Sequence, residues 1–325
     1  MNNYIAFDVS KQELDAYDGK ESLTFKNEKG LKALKGYLNR HFKRFDNLTF
    51  IFEPTGPYSN YIKHFCTENS IKAYIINPKK SSNFSKVLGN RSKTDEIDSK
   101  TLYAFSALIK EGEDKIPDND ENSNTLSTYL STYELILKTR VSLSNHIHSL
   151  AYQNNLPHSL MGNLKKELKR FTKLEEDTIK DAVKTIESNE GLREDYENLL
   201  TIPGIGKVSA IALLYLFRRY KDTNRNEIVA LLGLDPTKKE SGTSVRGKRR
   251  ISKSGNAMIR TILYFPTMNA TRYNDRIKVF YERLIDNNKP KKVAIIASMK
   301  KLLLIAHAIY KTKIPYKNRE VEAYA

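Results

Sequence analysis

The hydrophobic period of this chain changes once, and that change divides it into parts built on different principles. Through the first hundred residues short apolar runs of strand length alternate with helical stripes. An acidic, Asn- and Asp-rich stretch from Glu111 to Thr125, carrying Pro117, then interrupts the pattern and reads as an exposed linker. Beyond it Leu and Ile recur at three- and four-residue spacings, the mark of long helices. At 325 residues the chain has room for two domains and a connecting element, each part large enough to bury its own core.

In the first part Tyr4–Val9 places Ile5, Phe7 and Val9 on one face and Asp8 on the other, as a strand does. Strands around Leu14–Tyr17 and Ser22–Lys26, with a turn at Asp18–Gly19, complete a meander. Leu31, Leu34 and Leu38 mark a helix, and Leu48–Phe52 a strand stopped by Pro54. Tyr58–Cys66 reads as a helix and Ala73–Ile76 as a buried strand ended by Pro78. A closing helix spans Asp95 to Ile109, with Leu102, Phe105 and Ile109 inward. Together these predict an α/β layer fold. The stretches from Leu126 to about Asn155 and from Leu164 to Leu200, reversed at Pro157 and Gly162, predict an antiparallel coiled-coil arm. The remainder, to about Tyr316, is mostly helical with one basic loop from Thr237 to Lys253. The expected boundaries are 1–112 for the α/β part, 113–125 for the linker, 126–198 for the arm and 199–325 for the C-terminal part.

Composition narrows the partners. A formal net charge of +17 and a pI near 9.6 suit a polyanion, although a Lys- and Asn-rich proteome accounts for part of the surplus. Hydrophobic residues at 39% fit a soluble globular chain. Apolar runs such as Ile211 to Phe217 fall short of the roughly 20 residues that cross a bilayer. Asp8 breaks the layout of a secretory leader, so no membrane and a bacterial cytoplasm are expected. A single cysteine, Cys66, leaves no internal disulfide and no cysteine-based zinc cluster. The six histidines form no ligand pattern, and the 19 tyrosines serve packing as readily as base stacking.

Three constellations carry candidate chemistry. The first is a scattered set of carboxylates: Asp8 inside an apolar strand, Glu53 at a strand end, and Asp95 and Asp98 three apart at a helix start. In a ribonuclease H-like fold the first and fourth strands are neighbours with the last helix over them, which gathers the four groups at one end of the sheet. Two magnesium ions need such hard oxygen ligands. Each residue also has a plainer account. Asp95 and Asp98 suit a helix dipole, Glu53 an exposed strand end, and Asp8 the solvent side of an open sheet.

The second constellation, Pro203-Gly204-Ile205-Gly206-Lys207 before the apolar helix Val208–Leu216, fits a helix-hairpin-helix element. There Gly204 and Gly206 would let backbone N–H groups reach a phosphate beside Lys207; a tight turn between helices fits equally well. The third is the basic loop, with Arg246, Lys248, Arg249, Arg250 and Lys253, followed by Arg260, as candidate phosphate contacts. Ser241 within it serves as a turn or phosphate-contacting hydroxyl or as a nucleophile, with no histidine nearby in sequence as its base.

In this order the constellations resemble the DEDD-type insertion-sequence transposases, the bridge-RNA-guided IS-one-ten family, which includes the Piv-type DNA invertases. Ile5-Ala6-Phe7-Asp8-Val9-Ser10-Lys11 is similar to the family's first motif, and Phe52-Glu53-Pro54-Thr55-Gly56 to its second. Asn77-Pro78, Lys93-Thr94-Asp95 and Asp98-Ser99-Lys100 are similar to its third. The C-terminal likeness runs from Ile202-Pro203-Gly204-Ile205-Gly206 through Gly233-Leu234-Asp235-Pro236 and Ser241-Gly242 to Lys253-Ser254-Gly255-Asn256 and Arg260. The resemblance implies a RuvC-like Mg2+ site of Asp8, Glu53, Asp95 and Asp98. It implies Ser241 as the nucleophile of a transient phosphoserine, donor and target DNA as substrates, and a structured guide RNA. It also implies a homo-oligomer, a dimer of dimers in which one subunit's carboxylates meet another's serine.

One departure concerns the serine. Where the family often has a second serine before the nucleophile and two glycines after it, this chain reads Glu240-Ser241-Gly242-Thr243, which leaves Ser244 as a rival. The competing expectations are a junction-resolving nuclease that uses the carboxylates and water, and a non-catalytic nucleic-acid-binding protein.

Overall fold

The computed structural model describes residues 3–88, 95–109, 121–153, 157–237, 240–241, 245–246 and 250–317, with the backbone alone for 95, 96, 121, 158, 240, 241, 245 and 246. Two compact units divide at Asn119/Asp120.

The first unit is built on a five-stranded sheet of strands β1 (Asn3–Val9), β2 (Glu13–Tyr17), β3 (Ser22–Lys26), β4 (Leu48–Phe52) and β5 (Lys72–Ile75), in the order β3-β2-β1-β4-β5. The first three pair antiparallel as a meander, while β4 runs parallel to β1 and β5 parallel to β4. Both faces are covered. On one, Ile5, Phe7, Phe50 and Phe52 pack against Leu34 and Leu38 of α1 (Lys32–His41) and Ile62 and Phe65 of α2 (Asn60–Glu68). On the other, Ala6, Ile51, Tyr74 and Ile76 meet Leu102 of α4 (Asp95–Ala104) and Phe105 beyond it. That double coverage is why β4, Leu-Thr-Phe-Ile-Phe, is buried at every position and reads as a continuous run rather than an alternation.

Two sequence expectations need correction here. Pro78 ends β5 but also opens a helix, α3 (Pro78–Val87): Asn77 accepts the Lys79 N–H at 2.9 Å as its cap, and Pro at the first turn loses no helical hydrogen bond. The helix expected to run unbroken to Ile109 is α-helical only to Ala104 and tightens into a 3-10 turn over Phe105–Leu108.

The second unit begins with two 30-residue helices, α5 (Glu121–Leu150) and α6 (His158–Glu187), each about 45 Å long. They run antiparallel: Arg140 pairs with Glu175 at 2.5 Å, while Leu126 and Leu130 share one core with Ala182 and Ile186. α5 starts five residues before the expected Leu126. The second long helix is not continuous to Leu200, because Asn189 caps a separate helix, α7 (Glu190–Leu200). The remaining helices are α8 (Lys207–Arg219), α9 (Arg225–Leu231), α10 (Ala257–Tyr273), α11 (Asp275–Asp286) and α12 (Lys291–Thr312). α12 is long and apolar enough to cross a membrane, contrary to the reading of the apolar runs, but half of its most apolar window is buried inside the unit beside Phe217 and Leu263. Asp195 of α7, 2% exposed, is paired with Lys313 at the end of α12 and lies 4.0 Å from Arg218, tying three helices through one buried carboxylate.

Candidate active site

The parallel pairing of β1 and β4 puts their carboxyl ends at one edge of the sheet. The last registered pair there is Phe7↔Phe52, so Asp8 and Glu53 are the next residues in step. Alternation turns both toward the α4 side, opposite the face of Phe7 and Phe52. The sheet face that was free to be open is therefore covered, and Asp8 is half-buried under a helix. α4 packs across β1 and β2, and Asp98 lies one turn before its buried Leu102, on the stripe that faces the sheet. Asp95 opens the same helix at the spacing that continues the stripe, but its side chain lies outside those described.

Two groups were missed by the sequence reading. Asp15 of β2 stands directly opposite Asp8 in the antiparallel register and accepts the Thr24 hydroxyl at 2.7 Å. Like charges facing across strands oppose pairing, so a third carboxylate beside Asp8 adds to the local negative field. The signal lay in Leu14-Asp15-Ala16, whose alternation puts Asp15 on the Asp8 side of the meander. The second is Ser81 of α3, which donates its hydroxyl to Glu53 and is itself buried. The Asn77-Pro78 capping signature announced the helix that carries it.

The donors assembled along this edge are carboxylate and hydroxyl oxygens, a chemistry that fits a hard divalent cation. Among the described residues no three His, Cys, Asp or Glu side chains stand close enough together to hold an ion.

In the second unit the Pro203 to Gly206 turn joins α7 to α8, and its two glycines do different work. Gly204 has φ +101°, and a Cβ there would lie 2.7 Å from the Ala270 Cβ and 2.8 Å from the Pro266 carbonyl oxygen, so this glycine lets the turn touch α10. Gly206 caps α8 in open space, with nothing within 4 Å of where a Cβ would sit, and its own N–H donates to the Ser209 hydroxyl at 2.9 Å. Lys207, exposed, begins the helix. Beside the turn lies a cleft of about 910 Å³ whose far wall is α10, with Phe265 and Tyr273 71% and 68% exposed at its margin.

The basic stretch is not a plain loop. Pro236–Thr237 pairs antiparallel with Arg250–Ile251, and Glu240–Ser241 with Val245–Arg246, so Ser241 sits opposite Val245 in a two-stranded ribbon. Alternating Thr, Ser and Val at these positions suit extended backbone, a signal the density of Gly and Arg concealed. Of the candidate phosphate contacts, Arg250 and Lys253 are exposed; Arg246 is described by its backbone alone; Lys248 and Arg249 lie outside the described residues, as do Gly242, Thr243 and Ser244.

The ribbon's base is tightly built. Gly255 packs on Leu231 and Gly233 so closely that a Cβ would fall 2.1 Å from the Leu231 oxygen. Ser252 donates to Asp235 at 2.6 Å, and Asn256 caps α10 through the Ile259 N–H. Arg260 spends its Nη1 on the carbonyls of Leu232 and Gly255, at 2.8 and 3.0 Å. The motif around Lys253-Ser254-Gly255-Asn256 and Arg260 thus ties the 231–235 segment and the Pro236–Thr237/Arg250–Ile251 pair to α10.

Comparisons with known proteins agree with these two halves. Residues 5–154 match a family profile described as Transposase, and residues 196–282 match the profile described as Transposase IS116/IS110/IS902 family. The chain is 27% identical over 331 positions to the pilin gene-inverting protein of Moraxella bovis, an alignment that covers 97% of this chain and 98% of that one. The pilin gene-inverting protein of Moraxella lacunata is equally similar, at 27% over the same lengths. With both profiles in chain order, one spanning the carboxylate-bearing unit and the first long helix of the second, the other lying within the second unit and covering Ser241, the chain belongs to the IS116/IS110/IS902 family of transposases, enzymes that recombine DNA.

Proposed function

We propose that the chain cuts and rejoins DNA through a transient phosphoserine, with Ser241 as nucleophile and Asp8, Glu53, Asp95 and Asp98 as the ligands of Mg2+ in a ribonuclease H-like, RuvC-like unit. The observation that carries this is the placement of Asp8 and Glu53 one step beyond the last pair of adjacent parallel strands, under the helix that bears Asp95 and Asp98. When bound, the cation supplies positive charge to the scissile phosphate and the leaving oxygen. The chain's own groups do the rest. Glu53 is held by Ser81, the pairing with Val245 keeps the backbone at Ser241 extended, and the cations of the basic stretch draw in the phosphodiester. One DNA P–O bond breaks as one P–Oγ bond forms, and the proton lost by the serine hydroxyl ends on the leaving oxygen, so the bond energy is kept for rejoining rather than lost to water.

The turn before α8 serves as the hairpin of a helix-hairpin-helix element, supported by the cleft beside it and by Lys207 at its rim. Residues 1–112 form the carboxylate domain and 199–325 the serine domain, with the arm between them reaching from Glu121, five residues ahead of the expected 126, to 198 and the linker shortened accordingly from 113–125. The arm joins copies into a dimer of dimers. Leu135, Tyr152 and Leu174, each at least half exposed along it, support that role. A structured guide RNA supplies sequence specificity; its support is the family resemblance and the basic charge.

The test traps the adduct. Purified chain with Mg2+, candidate guide RNA and end-labelled DNA is run on a denaturing gel beside Ser241→Ala and Asp8→Ala. A labelled band that resists denaturation and vanishes in both variants is expected. Cleavage without an adduct, unaffected by Ser241→Ala, would sink the recombinase mechanism in favour of a metal-dependent nuclease.

A further inference from the structure

The second unit contains a cleft that none of the motifs reaches. It measures about 890 Å³ and lies between α12, the start of α9 and the segment 314–317. Arg225, Arg276, Lys301, Lys311 and Lys317 line it, and no acid stands among its described lining residues. Glu227, next along α9, is turned to capping and accepts the Asn224 N–H at 2.8 Å. Burial, then the charges of Arg283 outside the cleft and Arg276 within it, hold the Lys301 ammonium, 4.5 Å over the Phe280 ring, below its ordinary pKa.

His307 lines the same cleft and is 5% exposed, with its Nε2 lacking any hydrogen-bond partner. Burial, then Lys311 and Arg225, lower its pKa, so the ring is neutral and keeps one nitrogen to offer. A buried polar atom without a partner, under a group of cations without an acid, is an arrangement completed by an oxyanion.

We propose that this cleft binds the phosphodiester backbone of DNA, with Arg225, Arg276 and Lys301 on phosphate oxygens and the His307 Nε2 hydrogen-bonded to a backbone oxygen. It would hold DNA at a place separate in sequence from the Ser241 ribbon and the turn before α8. The site rests on the chain acting on DNA and not on the metal or the serine, so its test omits both chemistries.

Binding of a labelled DNA duplex to the full chain is followed by fluorescence anisotropy in EDTA across a salt series. Wild type is compared with Arg225→Gln/Lys301→Gln, with Ala308→Glu, and with Lys32→Gln/Lys35→Gln, a control pair of exposed lysines on α1. Each lost phosphate contact lowers the slope of log K against log salt by about 0.9, so the cleft double variant is expected to fall by about 2 and the control to stay at the wild-type slope. Ala308→Glu puts a carboxylate on an exposed helical position of the lining, where glutamate is a good helix former, and is expected to weaken DNA several-fold without a change in melting. An unchanged slope in the double variant, an equal fall in the control, or a loss seen only with an RNA duplex of the same sequence would overturn the assignment.

Discussion

Gly255→Ala should damage this protein more than any other single methyl group added at the turns of the second unit. The new Cβ would lie 2.1 Å from the Leu231 oxygen and 2.5 Å from the Gly233 nitrogen, both backbone atoms that no rotamer change can move aside. Relief requires the 231–233 and 253–256 segments to separate by more than 1 Å, roughly the gap to ordinary van der Waals contact. That movement breaks Asn256 N–H to Leu231 O at 2.9 Å, Lys253 N–H to Gly233 O at 3.1 Å, and the Arg260 bond to Gly255 O at 3.0 Å. Two neutral hydrogen bonds at about 0.5–1.5 kcal/mol each and one charged bond at about 1.5–3 kcal/mol give a cost of roughly 2.5–6 kcal/mol. For a unit of this size about 3 kcal/mol lowers Tm by roughly 6–12 °C. Gly206→Ala is the matched control: it has an ordinary φ of −108° and open space around it, and it should cost only about 1 kcal/mol, as an alanine cap does. Differential scanning calorimetry of the full chain and both variants is the assay. A Gly255→Ala melt within about 2 °C of wild type, or a Gly206→Ala loss equal to it, would refute the reasoning.

Further expectations follow from other contacts. Asp195→Ala removes the buried carboxylate that Lys313 and Arg218 share and, because those two cations keep access to solvent, should destabilise the second unit by about 1.5–3 kcal/mol, read as a lower urea midpoint; a midpoint within error of wild type would show that the pair is dispensable. Ser81→Ala frees Glu53 and should slow DNA cleavage about 10–100-fold with little change in melting, and unchanged cleavage would remove Ser81 from the site. At Asp18 burial works against the charge, but the N–H groups of Glu21 and Lys20 and the Tyr37 hydroxyl outweigh it and hold the carboxyl below its ordinary value of 3.8. Its stabilisation is therefore full above the unfolded value and is lost as the pH falls through the lowered one. Tyr37→Phe should flatten the fall of Tm on the acid side of about pH 4, and an acid profile parallel to wild type would count against the contact.

How much of this was legible in the sequence depended on the range of the interactions. The strands of the first unit were legible because alternation is a local property: Ile5, Phe7 and Val9 announce their face without help. What lay over the other face was legible only through the ribonuclease H-like expectation, which put the last helix over the first and fourth strands; alternation alone leaves Ala6 and Asp8 on a side open to solvent until α4 supplies Leu102 from far along the chain. The Asp8 and Glu53 pairing needed a strand order, which that expectation supplied and the β1 and β4 register bears out; the register itself, with both carboxylates one step past Phe7↔Phe52, left no mark in the sequence. The Pro203 to Gly206 turn was visible as a turn, but the reason for Gly204, the close pass of Ala270, is a contact across more than sixty positions. Arg260 was read as a phosphate contact by its company of cations; its Nη1 bonds to Leu232 and Gly255 carbonyls follow from tertiary structure and leave no mark in spacing.

The mounting of the Ser241 ribbon also bears on how this protein can change over generations. Its base depends on glycines and carbonyl oxygens, groups whose fit is set by backbone shape, so nearly any substitution at Gly233 or Gly255 is excluded on steric grounds alone. The paired strands that lie in sequence between the two halves of that base, Glu240–Ser241 and Val245–Arg246, are joined through main-chain bonds that nearly every residue type can make. Change is thereby channelled: substitutions along these paired strands leave their main-chain bonds intact, whereas the glycines at 233 and 255 have almost no substitute that the neighbouring backbone admits.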